Sequence, residues 1–429
     1  MPEQTKLIYP TLDLFLYDLR EELGQDAQET DENRRKFCHK LCSKSSNNSS
    51  VEDLSYQTLL AKLEEAEKSE AGFIELLGTD RVKPFERPLD GYYYPLQIGN
   101  TYALRVGCSG VYADGMKQSN YALQPIKAIQ DIKQEILSHI KYDTGTIGQT
   151  WMMWCQLADT HQSPTQVALE CYKQLAPNPN WERDFKAQGE FLGGTLFELW
   201  SPPSDWSDRE KISENYHLLI WLFPYNKPIE SIKESILKNS LDLIHLFCYR
   251  NKVIWAYSHS RHLKEELKAD SLSIQATICD VTQLYEQRKP TESQMQQLRE
   301  ILTNSLTILS RYAMDLAELD IQGRIIESNL DHYKKQLTKI EKVEPDSDLQ
   351  FLVDFGEFAS AKYLQQVRMD HAHLSSGLTL QENLIWTVEG ITQTSQTQRD
   401  RTLNSTIAIA SVGLATSSVT ATVMVAQPP

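Results

Sequence analysis

The sequence predicts an α+β protein: a ferredoxin-like α/β sandwich domain, followed by a long antiparallel helical hairpin and a C-terminal transmembrane helix. Three observations predict it. Strand-like and helix-like periodicities alternate in the middle third, apolar residues recur at steps of three, four or seven after Pro290, and the chain from Thr402 onward lacks Asp, Glu, Lys and Arg. We therefore divide the chain into a helical N-terminal region (1–77), a β-rich connecting region with a helix (78–149), the sandwich (150–270), the stalk hairpin (271–401) and the membrane helix (402–427).

Composition limits the classes of function. Of the 429 residues, 41% are hydrophobic and 24% charged, which is typical of a globular body in water. The formal charge of −15 argues against a general nucleic-acid binder, because phosphate contacts need an excess of Lys and Arg. Seven cysteines, odd in number and mostly in apolar runs, indicate reduced thiols and a cytosolic body, and the N-terminus does not have the pattern of a signal peptide.

In the N-terminal region, residues 1–77, apolar residues recur at the spacing of a helix. Apolar residues on one face predict a helix over Leu12–Leu23, a second is expected over Asp31–Ser43, and a third begins at Leu54 after the Ser/Asn-rich stretch 43–53, which we interpret as a mobile loop. Cys38 and Cys42 flank His39, but a single C-x₃-C pair favours two packed thiols over a metal site. From 78 to 115, turn dipeptides among aromatic residues predict short strands.

The middle third predicts the sandwich. Strands are expected over Thr150–Leu157, Glu190–Trp200, Tyr216–Phe223 and Leu241–Tyr249, with a hairpin strand at Lys252–Tyr257, and helices over Pro164–Leu175 and Pro228–Asn239. Their Trp and Phe residues indicate core packing. His259 and His262 begin a charged helix, which favours a solvated face. No known catalytic motif is present, so we expect no enzyme activity, no catalytic residues, no metal site and no cofactor.

After Pro290 the pattern is wholly helical. Thr291 and Gln294 form a capping box, and the apolar steps average about 3.5 residues, the period of a coiled-coil seam. Pro345 ends this helix. A second stripe from Leu352 to Val388 predicts the returning arm, with a soft point at Gly377 or Gly390.

The C-terminal segment matches a bilayer, since about 20 uncharged residues at 1.5 Å each span roughly 30 Å. Arg399 and Arg401 at the membrane edge place the body in the cytoplasm by the positive-inside tendency. Small and polar residues predict a helix that associates with others. The predicted face comprises Asn404, Thr406, Ile409, Ala410, Gly413, Ser417 and Thr420. A buried helix of small residues in a soluble protein is the alternative.

An α/β domain, then stalk helices, then a membrane helix containing Thr402, Asn404, Thr406, Ile409 and Gly413 resembles the organisation of CorA-type proteins. It is similar, too, to CorA-like membrane effectors of prokaryotic defence systems. The resemblance covers roughly residues 150–429 and is one of architecture. The Gly-Met-Asn motif and the second membrane helix of CorA magnesium channels do not occur in these residues.

The sequence thus favours an inner-membrane effector that oligomerises through its stalk and C-terminal helix and permeabilises the membrane when triggered. Its expected partners are membrane lipid, further copies of itself and a protease or regulatory protein, with 43–53 and 341–348 as candidate cleavage sites; nucleic acid is not expected. The alternatives are a CorA-type divalent cation channel and a static tail-anchored scaffold.

Overall fold

A computed structural model of the chain describes residues 5–21, 25–41, 49–69, 71–78, 81–85, 89–111, 123–208, 210–285 and 291–397. The fold is mixed α+β, with a ten-stranded sheet and long helices. The chain divides into two units. The sheet unit comprises Met1–Asp205, Glu210–Trp255 and Ser328–Ala359, and the bundle unit comprises Trp206–Arg209, Ala256–Glu327 and Ser360–Pro429.

The strands form one sheet in the order β2-β4-β5-β1-β7-β10-β9-β8, with β3 beside β4 and β6 beside β1. Their bounds are β1 Lys6–Leu19, β2 Phe73–Glu75, β3 Lys83–Pro84, β4 Leu89–Ile98, β5 Thr101–Val111, β6 Leu123–Pro125, β7 Gly148–Leu157, β8 Phe185–Phe191, β9 Gly194–Ser201 and β10 Tyr216–Phe223. Among these pairs only β7 and β10 run parallel.

The central strand β1 corrects the helix expected over Leu12–Leu23. Its Leu12, Leu14 and Leu16 belong to the core on one face of the sheet, while Phe15 and Tyr17 are also buried. A strand buried on both faces carries a nearly continuous apolar run, and such a run contains helical spacing by coincidence.

Helices cover the first face of the sheet. They are α1 Ala27–Leu41, α2 Ser49–Glu67, α3 Ala128–His139 and α4 Pro164–Leu175, and the one-turn helix α5 Trp181–Asp184 precedes β8. Ile129, Ile132 and Ile136 of α3 and Val167 and Cys171 of α4 share the core with the sheet. α1 and α2 lie close to the helices expected over Asp31–Ser43 and from Leu54 onward, but α2 ends at Glu67, and the expected continuation of that helix to Leu77 is wrong because Phe73–Glu75 is strand β2. Of the stretch 43–53, residues 49–53 are helical, and Cys42 with residues 43–48 lies outside the described residues.

The second face packs against the first part of α6, up to Trp255, the end of α7 and α8; these helices span Ile229–Tyr285, Glu292–Glu341 and Gln350–Phe358. The strands expected over Leu241–Tyr249 and Lys252–Tyr257 are therefore wrong, because both ranges lie inside α6. Phe247 packs on Phe15 at 5.1 Å between ring centroids, and the hydroxyl of Tyr17 donates to the Ile244 carbonyl at 2.8 Å. Extensive burial against the sheet obscures the helical period, and without these strands the ferredoxin-like order is not formed.

One further predicted strand is two strands in the structure, and another has the predicted bounds. Glu190–Trp200 is a hairpin of β8 and β9, because Leu192 and Gly193 adopt φ of 49° and 65° and reverse the chain. Tyr216–Phe223 and the helix Pro164–Leu175 have the bounds that the sequence predicted.

The bundle unit contains three helical segments: α6 from Ala256, α7 up to Glu327, and α9 Gln365–Thr397. The expected antiparallel hairpin of α7 and α9 is confirmed, since Tyr312 donates to the Leu374 carbonyl at 2.6 Å and Gln381 to the Ser305 carbonyl at 3.2 Å. The sequence interpretation missed α6 as the third helix. A π-helical segment, Ala359–Leu364, joins α8 to α9, and α9 runs without a break through Gly377 and Gly390.

Candidate functional site

The residues predicted to act at the membrane follow α9. Arg399, Arg401 and the face of Asn404, Thr406, Ile409, Ala410, Gly413, Ser417 and Thr420 lie outside the described residues, so their prediction stays a prediction. Among the helices that are described, none combines the length and apolar character needed to cross a bilayer. What the structure does place is the bundle from which this segment continues, and we describe that bundle as the first candidate site.

Ion pairs set the register of the three helices. Asp370 on α9 accepts from Arg261 and pairs with Lys264 at 3.0 Å, and both cations come from α6. Asp270 on α6 is bidentate with Arg311 on α7, with an Nε–Oδ2 distance of 2.9 Å. The two aspartates are 7% and 6% exposed, so the pairs are partly shielded from water and define which turns face each other.

Three acidic side chains, Glu266, Asp270 and Asp315, lie close together where α6 contacts α7. Burial first, and then the charges of Glu266 and Asp270, raise the pKa of Asp315. The hydrogen bond and charge of Asp270 raise the pKa of the Arg311 guanidinium. Arg311 therefore partly offsets the acidic charge at this position.

Large apolar side chains on the outside of the bundle face solvent. Met314 is 69% exposed and Trp386 is 71% exposed. The others exposed by about half or more are Leu272, Leu306 and Met369. The sheet unit exposes comparable side chains, among them Leu123, Tyr142 and Leu237, and singly exposed apolar residues are common on protein surfaces, so exposure alone does not distinguish the bundle.

A second candidate is a polar cluster inside the sheet unit. The Thr150 hydroxyl lies 3.1 Å from Nδ1 of His217, and Nε2 of His217 lies 3.1 Å from Oε1 of Glu198. Arg250 Nη2 lies 3.5 Å from the same carboxylate oxygen, and Asn251 donates to Thr150 at 3.0 Å. Strands β7, β9 and β10 and helix α6 supply these residues.

Burial determines the electrostatics of this cluster. Burial and the nearby Arg250 lower the pKa of His217 to about 4, against the opposing hydrogen bond to Glu198. Burial acts to raise the pKa of Glu198, but the His217 hydrogen bond and the Arg250 charge together lower it. The favoured state is a neutral imidazole beside a carboxylate paired with a guanidinium.

The order hydroxyl, imidazole, carboxylate is also found in acyl-transfer enzymes, in which the hydroxyl must reach a substrate carbonyl. Here Thr150 and His217 are both 0% exposed. The cluster therefore joins α6 to the sheet in this conformation. Sequence analysis missed it, although His217 and Glu198 are isolated polar residues inside apolar strands, which is a signal for a buried polar network.

Metal-ligating residue types are dispersed in the described part of the chain, where no group of three His, Cys, Asp or Glu side chains assembles. His262 contacts the Ser207 carbonyl and Glu266. Cys38 is buried beside Phe37 in the core.

Comparisons with known proteins return no match. Neither protein-family models nor curated proteins nor solved structures resemble the chain significantly.

Proposed function

We propose that the protein is a membrane-directed effector: the bundle unit carries the uncharged C-terminal segment to a bilayer, and several copies associated through the bundle permeabilise it after a trigger. The observation that carries this proposal is the continuity of α9. This helix is unbroken to Thr397, and its end is five positions before Thr402, where the uncharged segment begins.

The bundle supports the proposal in a second way. Its three long helices are fixed by the Asp270 and Asp370 ion pairs, while Leu272, Met314 and Trp386 face outward. These exposed side chains offer apolar contacts to other copies or to the apolar margin of a membrane.

Dye release from liposomes tests the proposal. The full chain, before and after limited proteolysis, is added to vesicles of neutral lipid, and vesicle binding is measured in parallel by flotation. We expect binding by the full chain and leakage once the trigger is supplied by cleavage.

The variant Ile409→Arg places a charge in the middle of the segment, which costs about 2.5–3.5 kcal/mol on insertion scales. We expect it to lose most of the binding and the leakage. Gln365→Arg is the matched control, because Gln365 is exposed on α9, and it should behave like the unsubstituted chain.

Two outcomes would contradict the proposal. Equal binding by Ile409→Arg and the unsubstituted chain would show that the segment does not enter lipid. Tight binding without leakage under every treatment would favour a static scaffold.

A further inference from the structure

The outward face of α7 carries a second seam, distinct from the one that packs inside the bundle. Its members are Thr303, Thr307, Ser310, Met314, Ala317 and Ile321, which follow each other at alternating steps of four and three. All are exposed except Ile321, which is half-buried, and none is charged. Steps of four and three are the spacing by which one helix packs along another.

A groove lies over the middle of this outward seam. It is lined by Leu306, Thr307, Ser310, Arg311, Met314 and Asp315. Met314 is 69% and Leu306 48% exposed, so apolar surface that a helix normally buries faces water here.

We propose that the part of this seam from Ser310 to Ile321 pairs antiparallel with the same part of α7 of a second copy of the chain. Side-chain volume favours that direction. With Met314 opposite Ala317 of the second copy, Ile321 falls opposite the second copy's Ser310, so each large side chain meets a small one. A parallel pair would instead set Met314 against Met314 and Ser310 against Ser310, which leaves space at the small residues.

Charge favours the same register. The flanking positions then bring Arg311 of each chain opposite Glu318 of the other, twice by symmetry. Arg311 uses Nε and Nη2 in its pair with Asp270, so Nη1 is the atom that meets the second carboxylate. In the parallel pair Arg311 would face Leu306 of the other chain and gain no ion pair.

The pairing has a consequence that rests on the proposed function. Antiparallel α7 helices carry antiparallel α9 helices, so the ends of the two α9 helices at Thr397 point in opposite directions. One flat bilayer receives at most one of them, and the pair is therefore a resting form that must separate before copies insert side by side.

Cysteine crosslinking of the full chain tests the register. Ser310→Cys and Ile321→Cys are made separately in a background with Cys42 and the exposed Cys279 replaced by serine. We expect a disulfide-linked dimer when the two variants are mixed and oxidised, and little from either alone. Dimers formed by each variant alone would overturn the antiparallel register.

Sedimentation measures the association itself. Met314→Lys should weaken dimerisation about tenfold or more, because burial of the methionine is replaced by a charge. The control Ala372→Lys, on the exposed face of α9, should leave it unchanged. Unaltered dimerisation of Met314→Lys would overturn the proposal, as would a full chain that is monomeric at all concentrations. A full chain that is monomeric and dimerises only after removal of 402–429 would identify the C-terminal segment as the occupant of the seam.

Leakage measured on the same proteins distinguishes a failure of the pairing from a failure of the proposed function. A monomeric unsubstituted chain that still leaks contradicts the pairing alone, whereas a dimer with the crosslinks expected above that never leaks contradicts the proposed function alone.

Discussion

At the scale of the residue, His217 makes folding depend on pH. Its pKa is lowered to about 4 in the folded chain, against an ordinary value of 6.5. Between these values the unfolded chain binds more protons, so stability rises with pH from about 4 to 6.5 and is lost as the pH falls through that window. The contribution is on the order of 3 kcal/mol.

His217→Gln keeps a polar side chain between Thr150 and Glu198 but does not titrate. We expect urea denaturation of this variant to show a smaller loss of stability between pH 6.5 and 4.5 than the unsubstituted chain shows. His161→Gln, at an exposed position, should retain the full pH dependence. Equal dependence in all three proteins would mean that the imidazole is not what couples folding to pH.

At the scale of the element, Asp370 joins α9 to α6 through Arg261 and Lys264. Asp370→Asn removes the charge and leaves two cations facing a neutral amide, for which we expect a loss of about 2 kcal/mol in the free energy of unfolding. Glu265→Gln breaks an exposed pair with Lys268 and should cost less than about 0.5 kcal/mol. Chemical denaturation compares the two, and similar losses would show that Asp370 does not fix the bundle.

Elements also show where sequence reasoning succeeds. β10 and α4 were predictable because β10 is a short, nearly continuous apolar run rich in aromatic residues and α4 begins at Pro164 with a clear helical stripe. β1 and the stretch of α6 from Leu241 to Tyr257 were not, because burial on several sides removes the polar residues that reveal a period, whereas the helix predicted over Pro228–Asn239 matches the start of α6. The polar cluster around His217 depends on contacts between residues up to 101 positions apart, which spacing along the chain does not encode.

The outward seam of α7 is a surface feature that spacing along the chain likewise did not reveal. Sequence analysis found the inner seam, in which Leu298, Leu316 and Leu319 are buried, because leucine dominates it. The outer seam consists mostly of Thr, Ser and Ala, and only its exposed position on the folded bundle distinguishes it from an ordinary solvent face.

At the scale of the whole molecule, the formal charge of −15 should govern the choice of membrane. An acidic body is repelled by anionic lipid, so we expect tighter binding to neutral vesicles than to vesicles containing anionic lipid at low salt. The difference should shrink as the Debye length falls from about 30 Å at 0.01 M to about 8 Å at 0.15 M salt.

Flotation at the two salt concentrations measures this, with a chain ending at Thr397 as the control that should bind neither vesicle. Tighter binding to anionic vesicles would mean that Arg399 and Arg401 outweigh the rest of the chain.

The π-helical segment Ala359–Leu364 affects every later residue of α9. A π turn holds about one residue more than an α turn, so the residues after it are rotated by roughly 100° relative to an uninterrupted α-helix. Which residues of α9 face α6 and α7 is thus set partly by the number of residues in this segment. A one-residue deletion that converts the segment to a regular α turn would therefore keep the same face of α9 toward its neighbours, whereas a one-residue insertion continued as α-helix would rotate that face by roughly 100°.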